Sequence, residues 1–396
     1  MQTSQSLTSS ARASLDNFIV HYWLVLGYVV LLTGLFWVPS GSLYTKLYYA
    51  LTALPALIGL AIAPRKLCMT VREPIIFAFI AIAAWLLISL CWTQTDNSQL
   101  KLAKRPLYVF LLFASCALIA SKNEQLLLGA LRIAAILAGF AALANLLIHL
   151  SSNPLTSRMI GTGGLRNPLL SSHVFGFFCT YWVASWLVRN ERLAWLPLLL
   201  GLPLVTALLA TGSRTPLLAL TMTCAWMLLM VGKRALYPLT MIALAACSLI
   251  ILQPDILLER GASFRPQLWS EALRQASEQL WLGQGYDSSF VFKIAGLEYA
   301  LSDPHNVELA VLLELGLIGL ALWLLMHGLA LIRCLQLRHE RQFQLVSALI
   351  VYGLCAGLSE GSNFLSRPNE NWFIIWIPLA LIAALSIAQR LRATTQ

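Results

Sequence analysis

The apolar residues of this chain gather into successive runs long enough to cross a lipid bilayer, with short polar breaks between them. A bilayer core demands roughly 20 apolar residues per spanning helix and excludes exposed strand edges, because no water is there to satisfy a free backbone N–H or C=O. Composition agrees: 59% of the residues are hydrophobic and 11% are charged, so a water-soluble globule of this length would expose far too much apolar surface. The pattern predicts an all-α, polytopic membrane helix bundle of about 12 transmembrane helices, and not a β-barrel. The expected spans are Ile19 to Val38, Tyr44 to Ala63, Ile75 to Trp92, Leu107 to Ile119, Leu126 to His149, Val174 to Val188, Leu193 to Ala210, Pro216 to Val231, Leu236 to Leu252, His305 to Leu331, Gln344 to Leu358 and Trp372 to Ile387.

An even number of spans puts both ends on one side. Connectors with Arg65, Lys66 and Arg72, with Arg189 and Arg192, with Lys233 and Arg234, with Arg333, Arg338 and Arg341, and the tail with Arg390 and Arg392 all fall on that side. The positive-inside rule makes it cytoplasmic. The opposite side nevertheless carries Lys101, Lys104, Arg105, Arg158, Arg166, Arg214, Arg260, Arg265, Arg274, Lys293 and Arg367. Two explanations stand: the topology is different, or these cations bind an anionic ligand at the outer face. The longest connector, residues 253–304 between the ninth and tenth spans, lies on this side and reads as an insertion in a single domain covering 1–396. No cleavable signal peptide is expected, and the first sixteen residues are polar. The eight Cys are scattered, without C-x-x-C spacing or a neighbouring His cluster, so neither a disulfide framework nor a metal site is expected. No nucleotide-binding G-x-x-x-x-G-K-[ST] pattern occurs either.

The most specific segment is Asp303-Pro304-His305-Asn306-Val307-Glu308-Leu309, continuing to Glu314-Leu315-Gly316-Leu317-Ile318-Gly319. Ser302 or Asp303 is expected to cap a helix with Pro304 in its first turn, which places His305 near a helix N-terminus at the membrane surface. The dipole there disfavours an imidazolium, leaving a neutral ring that can take a proton as a general base. An interfacial His that bonds only water or a headgroup is the competing reading. At 100° per residue Gly316 and Gly319 return to the His305 face and permit close approach of another helix, whereas Glu314 points away and reads as a structural partner.

Arg214 sits in the tight break Ala210-Thr211-Gly212-Ser213-Arg214-Thr215-Pro216. An Arg at the membrane edge is costly unless it faces a polar cavity; a snorkelling Arg is the alternative. Arg265 opens a segment with Trp269, Leu273, Ala276 and Leu280 at helical spacing, closed by Gly283, which reads as an amphipathic helix on the membrane surface. A cation at a helix start is unfavourable toward the dipole unless an anion binds there too; a solvated loop Arg is the plainer reading. Arg166, after Gly161-Thr162-Gly163-Gly164-Leu165, could wrap a phosphate in a flexible loop. Arg132, Glu360 and Arg367 read as structural ion partners.

Three of these features, in this order, resemble the O-antigen ligase and polymerase superfamily: the Ser213 to Thr215 turn, the Arg265 to Trp269 segment running into Gly283-Gln284-Gly285, and the run from His305 to Gly319. The motif resemblance covers about Arg158 to Gly319. It implies a glycan transfer from an undecaprenyl pyrophosphate carrier at the periplasmic face of the bacterial inner membrane, without metal, nucleotide or other cofactor. For the ligases the acceptor is a sugar hydroxyl of lipid A-core. His305 would then be the base, Arg214 and Arg265 would hold the pyrophosphate, Arg166 would assist, and Glu308 would orient or polarise the site. The partners implied are the lipid-linked O-antigen donor, the lipid A-core acceptor and membrane lipids, with no nucleic acid; oligomeric state is not legible. Paired guanidinium groups suit a departing pyrophosphate, and direct attack opposite it inverts the anomeric centre without a carboxylate nucleophile. An O-antigen polymerase shares the motifs; one long outer connector favours the ligase. A transporter or flippase would be expected to show duplicated halves with paired broken helices, which the sequence lacks.

Overall fold

A computed structural model describes residues 12–154, 157–188, 195–252, 264–294, 296–297, 299–360 and 363–395. The expected positions Arg189, Arg192 and Arg260, and the first part of the long connector (253–263), lie outside the described residues. Among the described residues the structure is all-helical apart from one isolated bridge, Phe292 to Leu301.

The helices are α1 (Arg12–Phe36), α2 (Gly41–Ile62), α3 (Pro64–Val71), α4 (Pro74–Ser89), α5 (Gln99–Ser152), α6 (Pro168–Val188), α7 (Trp195–Ala210), α8 (Thr215–Val231), α9 (Leu236–Leu252), α10 (Arg265–Glu278), α11 (Val307–Gln336), α12 (Arg341–Gly357), the short α13 (Asn371–Ile374) and α14 (Trp376–Thr395). Each expected apolar run falls largely in a helix. Among the described residues, six helical stretches are long and apolar enough to cross a membrane, or seven if α3 and α4, bent by 84° at Arg72 and Glu73, make one span. The other expected runs are joined, short or, in α6, not apolar enough: Pro216 to Val231 and Leu236 to Leu252 count together as Thr215–Ala245. The expected runs Leu107 to Ile119 and Leu126 to His149 share α5, whose 54 residues would reach about 80 Å if straight, far beyond a bilayer core of about 30 Å; Asn123, at φ −159° and ψ 107°, breaks it between them. Helices α7 and α12 are short, at 16 and 17 residues.

Helix α14 is the axle of the bundle. Every residue from Asn371 to Ala388 is buried, as expected of a helix apolar on all sides. Trp376 packs edge-on against Phe79 of α4 and Trp323 of α11, and α14 runs against α5 and α12. On the outer surface Phe77, Phe140, Leu147, Leu202, Leu218 and Met241 are exposed, which only a lipid environment rewards.

The two ends of the bundle differ in how their charges are matched. One end pairs Lys66 and Lys122 with Asp16, Arg390 with Glu73, and Arg392 with both Glu124 and Glu340; these are the connectors expected to share a side. The other end holds Arg105 on Asp287 and Arg265 on Glu360.

Helix α11 is broken in mid-course. Gly316 adopts φ 67°, and a Cβ there would lie 2.3 Å from the Trp281 carbonyl oxygen. Facing it, Gly283 at φ 72° would place a Cβ 2.5 Å from the Glu314 backbone. Both positions therefore require glycine. The orphaned carbonyls are satisfied from the adjoining strand-like segment: Gln284 N–H donates to Leu313 and Gly285 N–H to Glu314, while Leu317 N–H donates to Leu280. This is how a broken helix survives at membrane depth. The expected projection of Gly316 and Gly319 onto the His305 face fails, because helical periodicity does not carry through a left-handed residue.

Candidate active site

The site forms where the starts of α8, α10 and α11 meet the end of α12. Asn306 caps α11, its side chain accepting from Leu309 N–H at 2.9 Å while its amide donates to Leu358 O at 2.8 Å. One residue thus starts the helix and ties it to the end of α12. The expected cap at Ser302 or Asp303 is corrected: Asp303 instead accepts from His305 N–H at 2.7 Å, folding a tight turn in which His305 takes φ 49°. His305 lies outside the helix, aimed by this turn.

Its partner is Glu360, just past α12. His305 Nδ1 lies 3.5 Å from Glu360 Oε2 and 3.8 Å from Asp303 Oδ1, both at ion-pair distance with Glu360 the nearer. Glu360, whose side chain is 3% exposed, also accepts from the Arg265 guanidinium at the start of α10. The Glu360 carboxylate first, then Asp303, raise the proton affinity of His305 above its usual range, against partial burial and the Arg265 charge. The expected depression by the helix dipole is therefore overturned: two carboxylates act at close range and the ring stands off the helix axis.

Arg214 joins this cluster through its neighbour. Thr215 accepts a 3.1 Å hydrogen bond from the Ser359 hydroxyl, so the turn bearing Arg214 abuts the turn bearing Glu360. The turn itself is held by Arg158, which donates to Thr211 O at 2.7 Å and Ser213 Oγ at 3.2 Å. Arg214 is exposed at the N-cap of α8 and Arg265 is the first residue of α10, and neither helix start has a side-chain cap. Two guanidinium groups thus stand at two uncapped positive helix ends, a favourable setting for an anion.

The amphipathic segment is a helix, with a corrected inner face. Leu268, Ala272 and Ala276 are buried, whereas Leu273 and Leu280 are exposed. The face packs on Phe290, Phe292, Leu312 and Leu313, against protein and not lipid. Trp269 donates to Pro304 O at 3.1 Å, which links the Arg265 segment directly to the His305 turn.

Two other expected site residues lie elsewhere. Arg166 donates to Pro39 O at the turn between α1 and α2, and Gly163, at φ 68°, packs so close on Leu35 and Phe36 that a Cβ would meet backbone at 2.8 Å. That glycine run fits a neighbouring turn, and no described contact joins Arg166 to His305. Glu308, one turn into α11, is half-buried, and its Oε2 has no hydrogen-bond partner among the described residues. Conversely, Glu360 was legible only as an acid in an outer turn, without a motif to mark it. His173 of α6 is fully buried, lies within reach of the charges of Glu360 and Arg265, and has no hydrogen bond to either ring nitrogen among the described residues.

The class defined so far is a multi-span helical membrane protein with an imidazole, a carboxylate and guanidinium groups gathered at one end. Comparison with known proteins narrows this class. The O-antigen ligase family profile matches residues 198–324. A curated protein of Pseudomonas aeruginosa, described as an O-antigen ligase, is 43% identical over 388 residues, covering 98% of this chain and 96% of that one. The chain belongs to the O-antigen ligase family, and is a multi-pass membrane protein of glycosyltransferase type.

Proposed function

We propose that the protein transfers O-antigen polysaccharide from undecaprenyl pyrophosphate to a sugar hydroxyl of lipid A-core, at the periplasmic face of the bacterial inner membrane. The observation that carries this reading is the convergence of His305, Glu360 and Arg265, with the Arg214 turn hydrogen-bonded beside them. In the proposed step the acceptor oxygen attacks the anomeric carbon from the face opposite the pyrophosphate. The new C–O bond forms as the bond to the phosphate oxygen breaks, its electron pair leaves with undecaprenyl pyrophosphate, and the hydroxyl proton passes to His305. The anomeric centre inverts.

Glu360 supports the imidazolium that this creates, in the way a buried carboxylate supports a catalytic histidine. Arg214 and Arg265 neutralise the charge building on the leaving diphosphate. A guanidinium has five N–H donors, so contact with Glu360 is compatible with simultaneous contact to phosphate oxygens. Under this reading the segment 253–304 lies in the periplasm.

The test is reconstitution of the purified protein with lipid-linked donor and rough lipopolysaccharide, in the presence of a chelator and without nucleotide. His305→Ala is expected to lower the transfer rate by roughly 10²–10⁴-fold with donor binding retained. Full activity of His305→Ala would remove it from the mechanism. In cells lacking the protein, long lipid-linked chains with bare lipid A-core are expected; chains halted at one repeat unit would make it a polymerase.

A further inference from the structure

Beside the His305 cluster is a cavity of about 330 Å³. This is near the small end of the range for small-molecule sites, about 300–1,000 Å³. It is bounded by the outer turn before α5, the segment after α10, and the turn that follows Glu360. Its walls are fixed by a closed network centred on Asp287, which holds the left-handed φ of 66°. Asp287 Oδ1 accepts from Arg105 at 2.9 Å, and Oδ2 accepts from Thr95 and Asn97, each at 2.8 Å. Its backbone N–H donates to Glu314 Oε2 at 3.0 Å. Tyr286 accepts from Arg105 at 2.9 Å and donates to Leu365 O. Such a network is pre-organised: its polar groups need not rearrange when a ligand arrives.

The rim is different. Ser289, Ser302 and Asn363 line the cavity and are exposed, and their side chains make no hydrogen bond to another described residue. They offer two hydroxyls and an amide, groups that both donate and accept. Phe290 and Phe364, each under a tenth exposed, add aromatic surface beneath them. Hydroxyls, an amide and aromatic rings around a small, rigid hollow match a pyranose, which has hydroxyls on its edge and C–H groups on its face.

Charge separates this cavity from the guanidinium site. It holds one cation, Arg105, already paired with Asp287, against the carboxyl groups of Asp96 and Asp287. A diphosphate would be repelled here, whereas an uncharged sugar would not. The location is equally specific. Ser302 lies three positions before His305 and Asn363 three after Glu360, so at most about 10 Å of extended chain separates the rim from the reacting groups.

We infer that this cavity is a sugar subsite, seating one uncharged sugar residue next to the point of transfer. The inference rests on the reading of His305 as the transfer site. The sugar belongs to the acceptor core or to the donor glycan, and both present the same hydroxyl chemistry.

The full-length protein in lipid nanodiscs is titrated separately with the lipid-free oligosaccharide of rough lipopolysaccharide and with that of the donor glycan, followed by saturation-transfer NMR. At least one is expected to bind the wild type and the His305→Ala variant alike. Ser289→Phe, which fills the hollow, is expected to weaken that binding at least roughly tenfold, the loss of about two hydrogen bonds, at an unchanged thermal midpoint. Asn363→Ala is expected to weaken it by a smaller factor. In the transfer assay Ser289→Phe raises KM for the acceptor alone if the seated sugar is the acceptor's, and for the donor alone if it is the donor's. Sugar binding by a protein that transfers nothing would sustain the subsite while defeating the transfer reading. The subsite is overturned if the wild type binds neither oligosaccharide, or if a folded Ser289→Phe variant binds and turns over as the wild type does.

Discussion

His305 and Glu360 behave as one unit, because the carboxylate that steadies the ring also sets the pH at which the ring can act. A base works in its neutral form, and Glu360 holds the proton on His305 to a higher pH than usual. The low-pH limb of kcat/KM should therefore lie above the ordinary histidine value. In Glu360→Gln the negative charge is gone, the ring deprotonates at lower pH, and that limb moves toward acid, with a lower plateau because the base is weaker. A pH–rate profile checks this, and a limb that stays in place would separate Glu360 from the base. Arg265 makes a complementary test. Arg265→Lys keeps the charge but loses the planar fork, so the donor KM should rise and only partial activity return; full rescue would show that a point charge suffices. Of these residues, His305 stood out in the sequence by its motif, and Arg214 and Arg265 by positions that a membrane edge or a helix start disfavours. Glu360 did not, since its significance comes entirely from Arg265 and His305, 95 and 55 residues away in sequence.

At the scale of elements, the break in α11 decides how the segment after α10 docks. The glycines at 283 and 316 let two backbones meet at a distance that no side chain permits. Gly316→Ala or Gly283→Ala should destabilise the protein by at least about 1–3 kcal/mol, from a strained left-handed residue plus a clash with backbone. Thermal unfolding of the detergent-solubilised variants measures this, and an unchanged midpoint would mean the contact is dispensable. The sequence displayed both glycines but implied an unbroken helix, because hydrophobic periodicity is the same on either side of the break and only the partner segment reveals it. The amphipathic helix α10 was legible for a related reason, its spacing being local. Its burial partner was misread as lipid because an apolar stripe does not say what covers it.

Across the whole molecule, apolar runs marked the helices, including the break at Asn123 that separates the expected runs Leu107 to Ile119 and Leu126 to His149 within α5. Sidedness was accessible too: the cations expected together do gather at one end, matched by Asp16, Glu73, Glu124 and Glu340. Which compartment that end faces is tested by single cysteines in a cysteine-free background. Lys293→Cys should react with a membrane-impermeant maleimide once the outer membrane is opened, and Arg338→Cys only after lysis; the reverse pattern would put His305 in the cytosol.

The burial of α14 has a consequence for how the protein is made. Its neighbours α4, α5, α11 and α12 are all synthesised before it, and they wrap a helix that does not yet exist. Until the ribosome delivers that segment, the earlier helices must wait in the bilayer as a ring without its hub, their inner faces shielded by lipid or by the insertion machinery. Final closure, and with it the alignment of His305 with Glu360, thus waits until α14 itself has been made.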